Sequence, residues 1–194
     1  MLLKNLDKYD IILASGSPRR HALLAELGID FTIEARPVEE TYPPELKGEE
    51  IAIHLSCLKA DAFESAFFTE KTLLITADTI VCLDGKILGK PASREEAMAT
   101  LWQLSGKMHQ VITGLSLRSI QKEVNFAVST DVYFKELKEE EIAFYVDQYR
   151  PYDKAGAYGI QEWIGYVGIE KIDGSFYNVM GLPVLKLYEE LGKF

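Results

Sequence analysis

A strand-like run, Asp10 to Ala14, empties through Ser15-Gly16-Ser17-Pro18 into Arg19-Arg20 and a segment with leucines at 23, 24 and 27 before Gly28. That pattern predicts a helix over Pro18–Leu27, closed by a glycine at the usual C′ position. The first backbone N–H groups of a helix have no intrahelical partner, and the helix dipole adds positive potential there, so the chemistry on offer is anion binding. Ser17 is the natural N-cap and Pro18 the natural first helical residue. Arg19 and Arg20 oppose the dipole at about 0.3–1 kcal/mol each, a conflict that a bound anion removes. Spacing separates the two. Arg20 precedes Leu23, Leu24 and Leu27 by three, four and seven residues and turns with the core-facing stripe. Arg19 is left as the phosphate partner, with Ser15 and Ser17. The bland alternative is a well-capped helix start and nothing more.

Asp78 interrupts an apolar, β-branched run from Leu73 to Leu83. An isolated buried carboxylate is costly, so it calls for a partner, a hydrogen bond or a metal, unless it marks a solvated strand end. Thr79 faces the other side of the same strand. Glu39 and Glu40 lie in the loop Arg36–Lys47, which holds three prolines and is long enough to suspect of function. Solvated surface competes there with metal or water positioning. Lys59 shares a helix face with Leu55, Ala62, Phe63 and Ala66, where a snorkelling lysine is the ordinary explanation. Lys90, between a hairpin and Pro91, says little alone. His21, His54 and His109 show no metal-ligand spacing and receive no role, and Cys57 and Cys82 suggest neither a zinc site nor a disulfide.

These residues need elements to hold them. Beyond the first strand and helix, the pattern predicts a strand over Phe31–Ala35, a helix over Ile51–Phe67, and a hairpin turning at Asp84-Gly85. Ser93 begins a helix to Leu104, with Glu96 completing a capping box. Strands follow over Gln110–Ile120 and Val124–Phe134, then a helix over Glu139–Gln148. A last hairpin spans Ile169–Val179, and Pro183 opens a C-terminal helix. At 194 residues, 47% apolar and 26% charged, the chain is expected to form one domain over 1–194, mixed α/β, with antiparallel hairpins beside βα units. A formal charge of −9 argues against a nucleic-acid surface. No run approaches the ~18 apolar residues of a membrane span, so a cytoplasmic protein with neither membrane nor nucleic-acid partner is expected.

Taken together, Ser15-Gly16-Ser17-Pro18-Arg19-Arg20, Ala77-Asp78-Thr79 and Gly89-Lys90-Pro91 closely resemble the marks of the Maf proteins. The similarity runs on through Asp153-Lys154-Ala155-Gly156-Ala157-Tyr158-Gly159-Ile160-Gln161 and Asn178-Val179-Met180-Gly181-Leu182-Pro183. The resemblance implies a Maf/ITPase-like elongated mixed sheet flanked by helices, with two lobes around a cleft. It implies hydrolysis of a nucleoside triphosphate to the monophosphate and pyrophosphate, assisted by a divalent metal cation, Mg²⁺ or Mn²⁺. The Ala-Tyr-Gly-Ile-Gln segment is similar to the branch that prefers dTTP and UTP. By that resemblance Asp78 is the proton acceptor, and Arg20, Thr79 and Gln161 set base preference. Ser15, Ser17, Arg19, Lys59 and Lys90 bind phosphate, Glu40 joins Asp78 in holding metal or water, and Asp153 and Lys154 are further cleft residues. Family members also form homodimers.

The expected reaction is in-line attack of water on the α-phosphorus, with positioning and charge stabilisation doing most of the catalysis. A carboxylate is by itself a weak base, so Asp78 is expected to act on water whose pKa a divalent cation lowers. Two other readings compete: a non-catalytic nucleotide sensor or cell-division regulator, and a house-cleaning hydrolase of modified nucleotides. One departure from the family pattern is Glu162-Trp163 after Gln161, where many relatives are glycine-rich. That bulky pair is expected to reshape the nucleobase end of the pocket.

Overall fold

The structure is a computed structural model that describes residues 2–194. It is mixed α/β, as expected, with a seven-stranded sheet in the order β2-β1-β3-β5-β6-β7 and β4 paired to β3. The chain divides into two compact units, the first made of Met1–Asp78, Thr113–Val128 and Gly181–Phe194, the second of Thr79–Ile112 and Ser129–Met180. Strands β3 (Thr72–Leu83), β5 (Met108–Arg118) and β6 (Glu123–Phe134) each contribute residues to both.

In the first unit β1 (Asp10–Leu13) runs parallel to both β2 (Thr32–Ile33) and β3, with Asp10 opposite Thr72 and Leu13 opposite Ile75. The Ala14 N–H donates to the Ile75 carbonyl at 2.8 Å, so the pairing persists one residue beyond the strand, up to the edge of the serine loop. Helix α1 (Pro18–Ala25) follows that loop, and α2 (Glu49–Asp61) lies over the sheet at Gly114. The approach there is backbone to backbone: a Cβ on Gly114 would stand 2.1 Å from the Ala52 carbonyl oxygen. Helix α2 stops at Asp61 rather than reaching Phe67. Arg36 Nη1 donates to the Ala62 carbonyl at 2.9 Å, taking the acceptor that a continuing helix would use, and Phe63 turns inward beside Ala14, Ala60 and Leu74. Residues Ser65–Phe67 form a separate 3₁₀ turn. The C-terminal helix α7 (Val184–Leu191) buries Leu187 and Leu191 and has Pro183 at its N-cap.

In the second unit β3 turns antiparallel into β4 (Lys86–Leu88) through Asp84 and Gly85, whose φ angles of 50° and 78° suit a two-residue hairpin. Helix α3 (Arg94–Leu104) is capped by Ser93, whose hydroxyl accepts from the Glu96 N–H. The expected reciprocal bond shifts by one residue, because the Glu96 carboxylate accepts from the Ala92 N–H at 2.7 Å. Helix α4 (Glu139–Tyr149) buries Ile142, Tyr145 and Val146 in a core with Leu101, Leu104 and Phe134.

Two further elements differ from expectation. Trp163–Gly168 forms a short helix, α5, and after β7 (Ile169–Asp173) the chain does not return as a strand but forms helix α6 over Phe176–Met180. Tertiary contacts override propensity in both. Ile164 is fully buried and Trp163 meets Phe144 at 4.8 Å between ring centroids. In α6 the buried Asn178 donates to the Val111 carbonyl at 3.0 Å and to Thr130 Oγ1 at 2.9 Å, while Ser175 Oγ accepts from the Asn178 N–H.

His109, assigned no role from sequence, is a core residue stacked on Phe134, with Nε2 2.7 Å from the Tyr158 hydroxyl. Burial lowers its pKa to about 4. An unfolded histidine binds its proton near pH 6.5, so between those values the unfolded chain carries more protons and stability falls as pH falls. The contribution is complete above about pH 6.5 and is lost as pH drops through about 4, with a span of roughly 3 kcal/mol. Urea unfolding of His109→Phe across that window is expected to show a shallower acid loss than the wild type. Parallel curves would remove His109 as the cause.

Candidate active site

The serine loop and first helix turn lie in the first unit. Ser17 occupies the N-cap position with an extended backbone, but its hydroxyl makes no capping bond; its N–H instead donates to Ser15 Oγ at 3.2 Å. The capping role read from the sequence is therefore corrected: position without cap. The buried Ser15 is held at its carbonyl by His21, whose Nε2–H donates at 2.6 Å. Arg19 is half-buried in the first turn of α1.

Arg20 turns inward, as its spacing predicts. Its Nε donates to the Gly181 carbonyl and Nη1 to the Ala77 carbonyl, both at 2.8 Å, with Ser15 Oγ at 3.4 Å from Nη1. One guanidinium thus ties α1, β3 and the segment before α7 together. Burial pushes its pKa down, and the charges of Asp78 and Glu40 oppose that shift. Both carboxylates therefore act on this arginine.

Asp78 is 7% exposed, which rules out a solvated strand end. Its partner is Lys59, whose ammonium hydrogen-bonds Asp78 Oδ1 and also reaches Glu40 Oε1 at 2.9 Å. Lys59 does not snorkel into solvent; it reaches from α2 toward β3. The chemistry of the helix face explains the reach. One turn earlier the Ser56 carbonyl accepts from Thr76 Oγ1 at 2.7 Å, fastening α2 to the strand that carries Asp78. Glu39, like Glu40, is exposed, but the ion pair with Lys59 belongs to Glu40.

Among the described residues no group of three or more His, Cys, Asp or Glu gathers as a metal cage. Mg²⁺ commonly uses one or two carboxylates and completes its shell with substrate phosphate oxygens and water. Glu40 and Asp78, drawn to one ammonium, match that smaller requirement.

The other sequence-derived residues lie in the second unit. Thr79 is half-buried and Lys90 exposed. Lys154 is buried; its Nζ pairs with Asp153 Oδ1 at 2.8 Å and Glu162 Oε1 at 3.1 Å. Gln161 sits in a turn closed by the Glu162 N–H on the Gly159 carbonyl at 3.0 Å, and its Oε1 is buried with no hydrogen-bond partner. Glu162 and Trp163 do not simply add bulk beside it: Trp163 packs on Phe144, and Glu162 accepts from the Tyr145 hydroxyl.

Sequence reasoning missed two residues of this framework, His21 and Tyr145, and read Glu162 only as bulk beside Gln161. His21 stands four residues after Ser17, one helical turn behind the serine loop, and Glu162 was visible as the acid that breaks the family pattern. Tyr145 carried no signal beyond an apolar helix face.

This combination, an arginine-led helix start with a buried aspartate and a paired lysine, coincides with a family match. The Maf-like protein model matches residues 10–194, and the chain belongs to that family. It is 56% identical over 193 residues to the dTTP/UTP pyrophosphatase of Bacteroides thetaiotaomicron, covering 99% of this chain and 100% of that one. Proteins with the same name from Phocaeicola vulgatus and Parabacteroides distasonis are each 53% identical, over 99% and 100% of this chain and 100% of theirs. Among solved structures, the Staphylococcus aureus Ham1 protein is similar over 64% of this chain and 71% of that chain, at 16% identity and a TM-score of 0.48. No helix among the described residues is long and apolar enough to cross a membrane.

Proposed function

We propose that this chain hydrolyses dTTP and UTP to the monophosphate and pyrophosphate, in the cytoplasm, with a divalent cation. The observation that carries the reading is the convergence of Glu40 and Asp78 on Lys59, with Arg20 bound to the carbonyl just before Asp78. The name shared by the full-length relatives supports the choice of dTTP and UTP.

Asp78 takes a proton from the water that attacks the α-phosphorus. The bond from that phosphorus to the bridging oxygen of pyrophosphate breaks, and the electron pair leaves on pyrophosphate. Ser15, Ser17, Arg19 and Lys90 bind phosphate oxygens, and Lys59 holds the two carboxylates in register while adding positive charge. Glu40 and Asp78 hold the cation, which supplies charge neutralisation and a lower pKa for water when bound. Gln161 reads the base, because an amide both donates and accepts, as a uracil or thymine edge requires. Thr79 and Arg20 complete that selection, Arg20 through the Ala77 and Gly181 backbone it fixes. Asp153 and Lys154 are further ligand-facing groups. The reading requires no nucleic-acid or membrane partner and is compatible with a homodimer.

The test is kcat/KM for pyrophosphate release with Mg²⁺ across dTTP, UTP, dCTP, GTP and modified triphosphates. Preference for dTTP and UTP is expected. Tight binding without turnover would make the protein a sensor, and a preference for modified bases would make it a cleansing hydrolase.

A further inference from the structure

We infer that Glu162, held by Tyr145, is a positioning residue that sets the nucleobase-reading turn of this chain; the inference rests on the role proposed above for Gln161. Glu162 occupies the N-cap of α5, where an acidic side chain ordinarily accepts from first-turn N–H groups. Here it makes no capping bond. Its carboxylate folds back instead: Oε2 accepts from the Tyr145 hydroxyl and Oε1 pairs with Lys154 Nζ at 3.1 Å.

The same phenol oxygen accepts from the Gly159 N–H at 3.0 Å, and the Gly159 carbonyl accepts from the Glu162 N–H at the same distance. Tyr145 therefore grips both ends of the turn Gly159-Ile160-Gln161-Glu162. Packing closes the fourth side, since a Cβ on Gly159 would meet the Glu162 carboxyl carbon at 2.9 Å. Tyr145 is fully buried, and burial together with the Glu162 carboxylate raises its pKa, so the phenol stays a donor. Gln161, between the two gripped residues, is left with a buried and unpartnered Oε1. A reading group of this kind discriminates only while its position is held, because its selectivity comes from leaving the wrong edge unpaired.

Glu162 also acts on Lys154. With Asp153 it gives that buried ammonium two carboxylate partners, fixing the cation on the same side of the turn. The acid after Gln161 is thus clamped by three residues, Tyr145, Lys154 and Gly159.

The experiment compares wild type, Glu162→Gln, Tyr145→Phe, Gln161→Ala and the double variant Gln161→Ala/Glu162→Gln. The readouts are kcat and KM for dTTP and dCTP and the thermal midpoint. Glu162→Gln and Tyr145→Phe are each expected to reduce the dTTP-to-dCTP ratio of kcat/KM about tenfold, the loss falling on KM for dTTP more than on kcat. In the Gln161→Ala background Glu162→Gln is expected to change the ratio no further, the mark of residues acting through one another. Tyr145→Phe retains the ring and its packing, so it carries the test if Glu162→Gln does not fold. A wild type that prefers dTTP with variants whose ratio is unchanged would overturn this inference alone. A wild type without base preference would overturn the reading of Gln161 and this inference with it.

Discussion

Asp78→Asn is expected to lower kcat for dTTP by about a thousandfold while leaving the affinity for a non-hydrolysable dTTP analogue within a few fold of wild type. Removing a general base ordinarily costs between about 10² and 10⁴ in rate, and Asp78 is also one of the two carboxylates, among the described residues, drawn to Lys59. Asparagine preserves the volume of a side chain that is 7% exposed, so the loss belongs to proton acceptance and charge rather than to a cavity. Lys59 keeps Glu40 as a partner at 2.9 Å, which limits the penalty of leaving a cation unpaired. Steady-state kinetics beside equilibrium binding of the analogue separates the two effects. Turnover within tenfold of wild type would remove Asp78 from the chemistry.

The second large effect is structural. Gly114→Ala places a Cβ 2.1 Å from the Ala52 carbonyl oxygen and 2.6 Å from the Ile53 nitrogen, contacts that no rotamer change relieves because every atom is backbone. Overpacking a core usually costs about 1–3 kcal/mol, and pushing a helix off a sheet costs more. In a domain of this size 3 kcal/mol corresponds to a fall in melting temperature of roughly 10 °C. The helix displaced is α2, and Lys59 stands two turns beyond Ala52 on it, so the folded fraction should also lose turnover. A calorimetric midpoint equal to that of wild type would show that Gly114 does not set the distance between helix and sheet.

Much of this was legible in the residues. Helical spacing alone turned Arg20 toward the core, and the structure bears that out with bonds to Gly181 and Ala77. The apolar run around Asp78 demanded a partner, and the partner is Lys59, a residue whose own helical context suggested only a snorkelling chain. What sequence could not supply was the third dimension. Lys59 and Asp78 meet because Gly114 lets α2 sit down on the sheet and because Ser56 accepts from Thr76. Helices α5 and α6 escaped notice for a related reason. Their sequences, with two glycines in α5 and aromatic, β-branched and asparagine residues in α6, have weak helix propensity, and burial of Ile164 and the side-chain bonds of Asn178 decide their form. Likewise Glu96 and Ser17 show that a capping pattern locates a helix start without determining which backbone group the side chain finally meets.

In the proposed reaction the cluster of Asp78, Lys59 and Glu40 directs water to the α-phosphorus of a pyrimidine triphosphate. Its most direct test is the identity of the products when purified protein is incubated with dTTP and Mg²⁺. Equal amounts of dTMP and pyrophosphate are expected, with formation stopped by chelation of the cation. Release of dTDP and inorganic phosphate would place the attack on the wrong phosphorus and contradict the account.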